Sequence, residues 1–389
     1  MKISDVVTTT VKGLWGTDYS TPEDGIAVIK TNNMSYEGVI DYSDICYRNI
    51  ELEKAQKNFL KYGDILAEKS GGTKTHTVGY VSYFDGQSDK YVCNNFILVI
   101  RPNVQKIKSK FLFYQMRYMY ENGIFADCYN RTTGIQNLQV NSYLGKDIKV
   151  FSEDKQEKIV SLLDSIISEI DNSKKRLSAL DELVKSRFIE MFENKDFGEC
   201  LFEDICDCLR NGANIKQSKT ASGYPITRIE TLSNDKFNLD RMGYADIFDL
   251  EKYRKYLLQT DDILISHINS TAYLGRAVRY KGESNTPIIH GMNLLCARIK
   301  PMYNATYIEH YLKSVRAKDY IRSITKQAVN QASISTTELK LMPISVPPIE
   351  LQNEFAEFVK LIDKSKFIVQ QQIKDLQELL DSKMDEYFR

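Results

Sequence analysis

Residues 151–192 and 347–388 of this chain align without a gap at an offset of 196, so the chain contains one long segment twice. Gln156 falls on Gln352, Leu180 on Leu376, Glu182-Leu183 on Glu378-Leu379, Ser186 on Ser382, Glu190 on Glu386 and Phe192 on Phe388. The repeat divides the 389 residues into a block at 1–150, a repeated segment at 151–196, a second block at 197–346 and a second repeated segment at 347–389. A chain of this length is long enough for two cores. The two blocks keep the same order of landmarks but differ in most residues. One part of the duplication is therefore shared and the other divergent.

Both repeated segments have the spacing of a long packed helix. Ile159, Leu163, Ile166, Ile170, Leu177, Leu180, Val184 and Met191 alternate steps of four and three, with Ser173 as a weak position. In the second copy the series is Phe355, Val359, Ile362, Val369, Ile373, Leu376, Leu380 and Tyr387, interrupted by Lys366 and Lys383. So narrow a stripe suits a partner helix better than a broad core, and each copy can be the other's partner. The expectation is an antiparallel intramolecular coiled coil; two helices lying on separate domains is the alternative. Pro347-Pro348 marks the second start, and Ser152 with Glu153 and Asp154 marks the first. About 36 helical residues would form a rod of ~54 Å, a spacer of defined length where a flexible linker would leave the separation open.

The blocks read as mixed α+β domains. Asp5-Val6-Val7 answers to Asp204-Ile205-Cys206, Gly63 to Leu66 answers to Asp261 to Leu264, and Val78 to Val81 answers to Leu274 to Val278. Apolar strands closed by Arg101-Pro102 and Lys300-Pro301 precede aromatic-rich helices, Phe111 to Tyr120 and Tyr307 to Val315. Gly134 to Leu138 corresponds to Asn330 to Ile334, and Gln136 and Gln331 within these stretches are expected to share a backbone or structural role. Short β-branched runs between turn signals support this fold class.

Between the landmarks lie polar loops. Block one offers Lys69, Ser70, Thr73, Lys74, His76, Arg131 and Thr132; block two offers Arg210, Asn211, Lys216, Lys219, His267, Asn269 and Ser270. These residue types bind phosphates or base edges, although loops are polar by default. The net charge of zero resolves into +2 for 1–150, −3 for 151–196, +4 for 197–346 and −3 for 347–389. A small basic excess in the blocks permits DNA binding without demonstrating it.

In this arrangement the chain resembles the specificity subunit of type I restriction-modification systems. The run from Leu180 to Phe192 is similar to the end of that family's first conserved helix, and Pro347-Pro348-Ile349-Glu350-Leu351-Gln352 to the start of its second. The first copy departs from the pattern, with Phe151 to Gln156 lacking the proline pair. The resemblance covers the whole length and implies two target-recognition domains, each reading one half of a bipartite double-stranded DNA site. The helix pair would set the gap and dock two methyltransferase subunits, beside restriction and translocase subunits. S-adenosylmethionine, Mg and ATP would belong to those partner chains, with no cofactor and no metal in this one, and the different loops imply an asymmetric site.

The residues offer little to an enzyme reading. There is no glycine-bearing cofactor loop, no P-loop and no Asn/Asp-Pro-Pro-aromatic motif of an adenine methyltransferase. Glu153 and Lys155, with Asp147 upstream, have nuclease-like spacing but suit a helix start better. The four histidines are scattered, so no catalytic residue is assigned. Seven cysteines without a CxxC pair, and a start at Met1 to Asp5 without an apolar core, point to thiols in a reducing cytosol. No run of 18 apolar residues is present to cross a membrane. A non-catalytic assembly scaffold, and a DNA reader for a different phage-defence effector, remain alternatives.

Overall fold

The computed structural model describes residues 1–73, 76–132, 135–193, 195–218, 220, 222–271, 273–327 and 332–389. Two compact units divide the chain: Met1–Lys175 with Gln370–Arg389, and Arg176–Val369. Each unit thus takes a stretch of both repeated segments.

In the first unit an antiparallel sheet runs in the order Val7–Lys12, Ile97–Pro102, Ile65–Glu68, Val81–Tyr83. Successive side chains of a strand leave on opposite faces. Ile65 and Ala67 accordingly enter a core with the helix Ser109–Glu121, while Leu66 enters another with Ile29, Leu60 and Phe84. Covering on both faces explains why Ile65-Leu66-Ala67 and Ile97 to Ile100 are unbroken apolar runs. The second unit repeats the design in the order Cys206–Asn211, Leu294–Ile299, Ile263–Ser266, Ala277–Arg279. There Ile263 and Ile265 face one core and Leu264 the other.

A small three-stranded sheet follows in each unit, ordered Ser70–Gly71, Ile135–Leu138, Tyr129–Thr132 in the first and Ile268–Asn269, Ala332–Ile334, Thr325–Gln327 in the second. The remainder differs. The first unit adds the sheet Cys46–Arg48, Ile26–Ile29, Tyr91–Cys93, whereas the second adds two-stranded pairs and short 3-10 turns between residues 225 and 256.

Both repeated segments form unbroken helices of 40 residues, Glu153–Phe192 and Ile349–Phe388, each about 60 Å long. Their antiparallel sense shows within the second unit, where Asp181 pairs with Lys366 and Arg187 with Glu354, so that advance along one helix is retreat along the other. In the first unit Ile159, Leu163, Ile166 and Ile170 share a core with Leu380, Met384 and Phe388. In the second, Val184, Phe188, Met191 and Phe192 join Phe355, Val359 and Ile362. Five expected seam residues, Leu177, Leu180, Val369, Ile373 and Leu376, are only half-buried. The seam also ends on Phe388, with Tyr387 half-buried, because at its ends the stripe broadens to meet the globular core.

Two landmark pairings shift. The ladder places Arg101 opposite Thr9 and Arg298 opposite Cys208, and each arginine grips the buried aspartate just before the neighbouring strand, so Arg101 answers to Arg298 and not to Lys300. The aromatic helix of the second unit is Ala305–Leu312, shorter than the expected Tyr307 to Val315. It stops because Ser314 caps a new helix, Val315–Ser323, by accepting from the Ala317 amide.

Candidate functional site

In the first unit the candidate loops emerge where the larger sheet meets the three-stranded one, and in the second so do Arg210, Asn211 and the residues from His267 to Ser270, while Lys216 lies beside the Ser218–Tyr244 bridge. The ladder sets Ser70 opposite Asn137, and Asn137 opposite Asn130, so a distant segment and one hairpin bring three polar residues into one row. The Ser70 hydroxyl donates to Asn137 Oδ1 at 2.8 Å. Lys69 is half-buried and its backbone is stitched to Phe96 and Leu138. Arg131 and Thr132 lie on the outer strand, and their side chains are outside the described part; Lys74 lies outside the described residues.

Thr73 and Val78 are clamped from beneath. Gln136, 3% exposed, accepts from the Val78 amide at 3.1 Å and donates to the Thr73 carbonyl at 3.0 Å. Its role is therefore structural. Its ladder counterpart is Ala332, since Gln136 opposes Gly71 and Ala332 opposes Asn269; Gln331 lies outside the described residues. Gly71 and Gly72 have φ of +134° and +68°, which L side chains rarely adopt. A Cβ on Gly71 would also stand 2.7 Å from the Glu68 carboxylate. Burial raises the Glu68 carboxyl to about 7, against the lowering effect of the Gly72 amide that hydrogen-bonds it. Thr73 and His76 make two bonds to each other, the His76 amide donating to Thr73 Oγ1 at 3.0 Å and the Thr73 amide to the His76 carbonyl at 2.6 Å.

The second unit uses the same place differently. Asn211 ends its strand opposite Leu295, next to the Leu294–Ser266 pairing, so the Arg210-Asn211 end and the 267–270 loop occupy one end of the sheet. Arg210 is half-buried with Nη2 3.0 Å from Cys208 Sγ. Asn211, Lys216 and Ser270 are exposed, and Lys219 lies outside the described residues. Asn269 donates to Ser266 Oγ at 3.1 Å and accepts from the Ser270 amide at 2.8 Å. His267 departs from expectation. It is 6% exposed, burial lowers its pKa, and its carbonyl takes the Ile334 amide. Its ring is therefore buried at the end of the strand, with Nδ1 lacking a hydrogen-bond partner among the described residues, and is not a solvent-facing loop side chain.

Two further residues stand at this place, Tyr36, whose ring stacks on His76, and Glu68, which lies against Gly71 and Gly72. No local pattern marks either one. Lys326 and Gln327, exposed on the outer strand of the second small sheet, were legible only as polar residues near a landmark. At the start of the first long helix Glu153 pairs with Lys108 at 3.2 Å, and the Lys155 ammonium lies 3.9 Å from the Phe151 ring centre. Among the described residues no group of three or more His, Cys, Asp or Glu is placed to hold a metal ion, and no helix is long and apolar enough to cross a membrane.

One α+β module in duplicate, with a shared helical element and unlike polar loops at the same sheet end, defines a two-part recognition protein. The chain belongs to the type I restriction modification DNA specificity domain family, whose model matches it twice, over residues 1–182 and 194–378. It is 37% identical over 187 residues to the putative type I restriction enzyme MjaX specificity subunit of Methanocaldococcus jannaschii, an alignment covering 48% of this chain and 44% of that one. It is 22% identical over 373 residues to the type I restriction enzyme EcoKI specificity subunit of Escherichia coli, covering 91% of this chain and 78% of that one. The chain thus spans under half of the first relative's length and over three quarters of the second's. The crystal structure of the type I restriction-modification system S subunit from M. genitalium shares its fold, with a TM-score of 0.57 at 14% identity over 100% of this chain and 95% of that one.

Proposed function

We propose that this chain is the non-catalytic DNA-reading subunit of a type I restriction-modification complex, each unit reading one half of a bipartite, asymmetric site. The observation that carries this is the pair of matched sheet ends. Both units share the strand order of these two sheets and the same arginine–aspartate grip, yet present Ser70, Thr73 and His76 in one and Asn211, Asn269 and Ser270 in the other. A common frame with unlike side chains is what two readers of unlike half-sites require. Arg131, Thr132, Lys69, Lys74, Arg210, Lys216 and Lys219 then contribute to phosphate or base contact.

The long helices set the distance between the half-sites in this reading, since each supplies residues to both units and recognition sites on one side of a duplex favour separations near whole turns of ~34 Å. They also dock the partner chains. Leu361, Phe367 and Ile368 are 64, 67 and 58% exposed on the second helix, and the repeat-matched Leu183 and Leu379 are 47 and 43% exposed. Two methyltransferase subunits, with restriction and translocase subunits, carry adenine methylation, S-adenosylmethionine, Mg and ATP, and the complex works in the cytoplasm.

The test is methylome sequencing of the host with and without this gene. One bipartite methylated motif that vanishes with the gene is the expected result; its absence would return the chain to the assembly-scaffold reading. Exchanging residues 197–346 for another family member's block should then alter one half of the motif, and a change in both halves would contradict modular reading.

A further inference from the structure

Gly72, Thr73, Thr77 and Val78 are held more firmly than exposed residues require. Gln136 ties Thr73 and Val78, Gly71 and Gly72 bend over Glu68, and Tyr120 donates its hydroxyl to the Thr77 carbonyl at 2.8 Å. An aromatic column rises beside them. Tyr120 meets Tyr80 at 6.1 Å between ring centres, Tyr80 meets Tyr36 at 4.6 Å, and Tyr36 stacks on His76 at 4.1 Å with 21° between the planes. His76, the outermost ring, is exposed, and among the described residues no group hydrogen-bonds to its imidazole. Tyr36 comes from a separate segment, with no other recognition candidate beside it in sequence.

We propose that His76 is a base-reading residue of the first unit and that Tyr36 is the positioning residue holding its ring toward the DNA. The inference rests on the DNA-reading function above. An imidazole carries an N–H donor and, when neutral, an acceptor, enough to distinguish one base edge from another at one position of one half-site. A ring stacked in place before the duplex arrives does not have to be ordered on binding. Tyr36 acts through His76, so a phenylalanine in its place, which keeps the stack, should preserve reading.

The experiment uses the assembled complex and a random duplex library, selecting bound sequences with wild type, His76→Ala, Tyr36→Ala and Tyr36→Phe, and measuring affinity for a non-site duplex alongside. For His76→Ala we expect about a tenfold loss of preference at one base position of one half, with the other half and the non-site affinity unchanged. Tyr36→Ala should weaken preference at that same position, and Tyr36→Phe should restore it. An unchanged motif in His76→Ala, or loss of preference in both halves, would overturn the inference while leaving the DNA-reading function standing. If wild type selects no bipartite motif, that function fails and the inference with it.

Discussion

Arg101 donates to both carboxylate oxygens of Asp64, through Nε at 2.8 Å and Nη2 at 2.7 Å, and Asp64 is 1% exposed. Arg298 grips Asp262 at the same two distances in the second unit. Nη2 of each also reaches a backbone carbonyl, Phe59 in one case and Leu257 in the other. The pair joins two central strands to the segment before them, at the root of the loop-bearing sheet.

Breaking a buried bidentate pair leaves one charge without its counterion, which typically costs about 3–5 kcal/mol. Asp64→Ala and Asp262→Ala should each lower stability by that order in urea unfolding, with the loss confined to the first or second unit respectively. A loss under 1 kcal/mol would show that water or backbone rearrangement satisfies the arginine.

Gln156 and Gln352, 196 positions apart, make the same two bonds. Gln156 accepts from the Lys108 amide at 2.9 Å and donates to the Phe151 carbonyl at 2.8 Å; Gln352 does the same with the Asn304 amide and the Pro347 carbonyl. Each glutamine ties a long helix to its block. Gln→Ala at either site leaves a donor and an acceptor unmet, worth roughly 1–3 kcal/mol. Gln156→Glu should cost more than Gln156→Asn at neutral pH in thermal melts, since a carboxylate cannot donate to Phe151.

Leu163 is fully buried whereas Leu180 is half-buried, although the heptad spacing treats them alike. Leu163→Ala should cost ~2–5 kcal/mol; Leu180→Ala should cost less than half as much, because its exposed atoms leave no cavity. Equal losses in chemical denaturation would place Leu180 deeper than the structure does.

Two groups tie stability to pH in opposite senses. The Glu68 carboxyl, raised by burial to about 7 from 4.5, gives stability that is present below pH 4.5 and lost as pH rises through 7. The His290 ring, which burial lowers to about 4 from 6.5, gives stability present above pH 6.5 and lost as pH falls through 4. Glu68→Gln should therefore raise first-unit stability at pH 8, on the order of 3 kcal/mol, and change it little at pH 5. A melt that shifts equally at both pH values would contradict the buried, protonated carboxyl.

The duplication, the two long helices and the strands at Ile65 and Ile263 were legible because each is written in local spacing: a repeat at fixed offset, a heptad, an apolar run bounded by turns. Matching by sequence order failed at Arg101, where strand register and not rank decided the counterpart. It failed again at His267, whose polar type suited a loop but whose position follows a buried strand.

Thus the amino-acid order alone settled that there are two related modules, that a pair of long helices joins the plan, and which stretches diverge. Those properties are periodic or repetitive, and the chain carries them without folding. Only the tertiary structure settled which loop side chains stay in solvent, that Tyr36 meets His76, and where the helical seam thins at Leu180. Burial and contact between segments distant in sequence arise from sheet register and core packing, which no local pattern encodes.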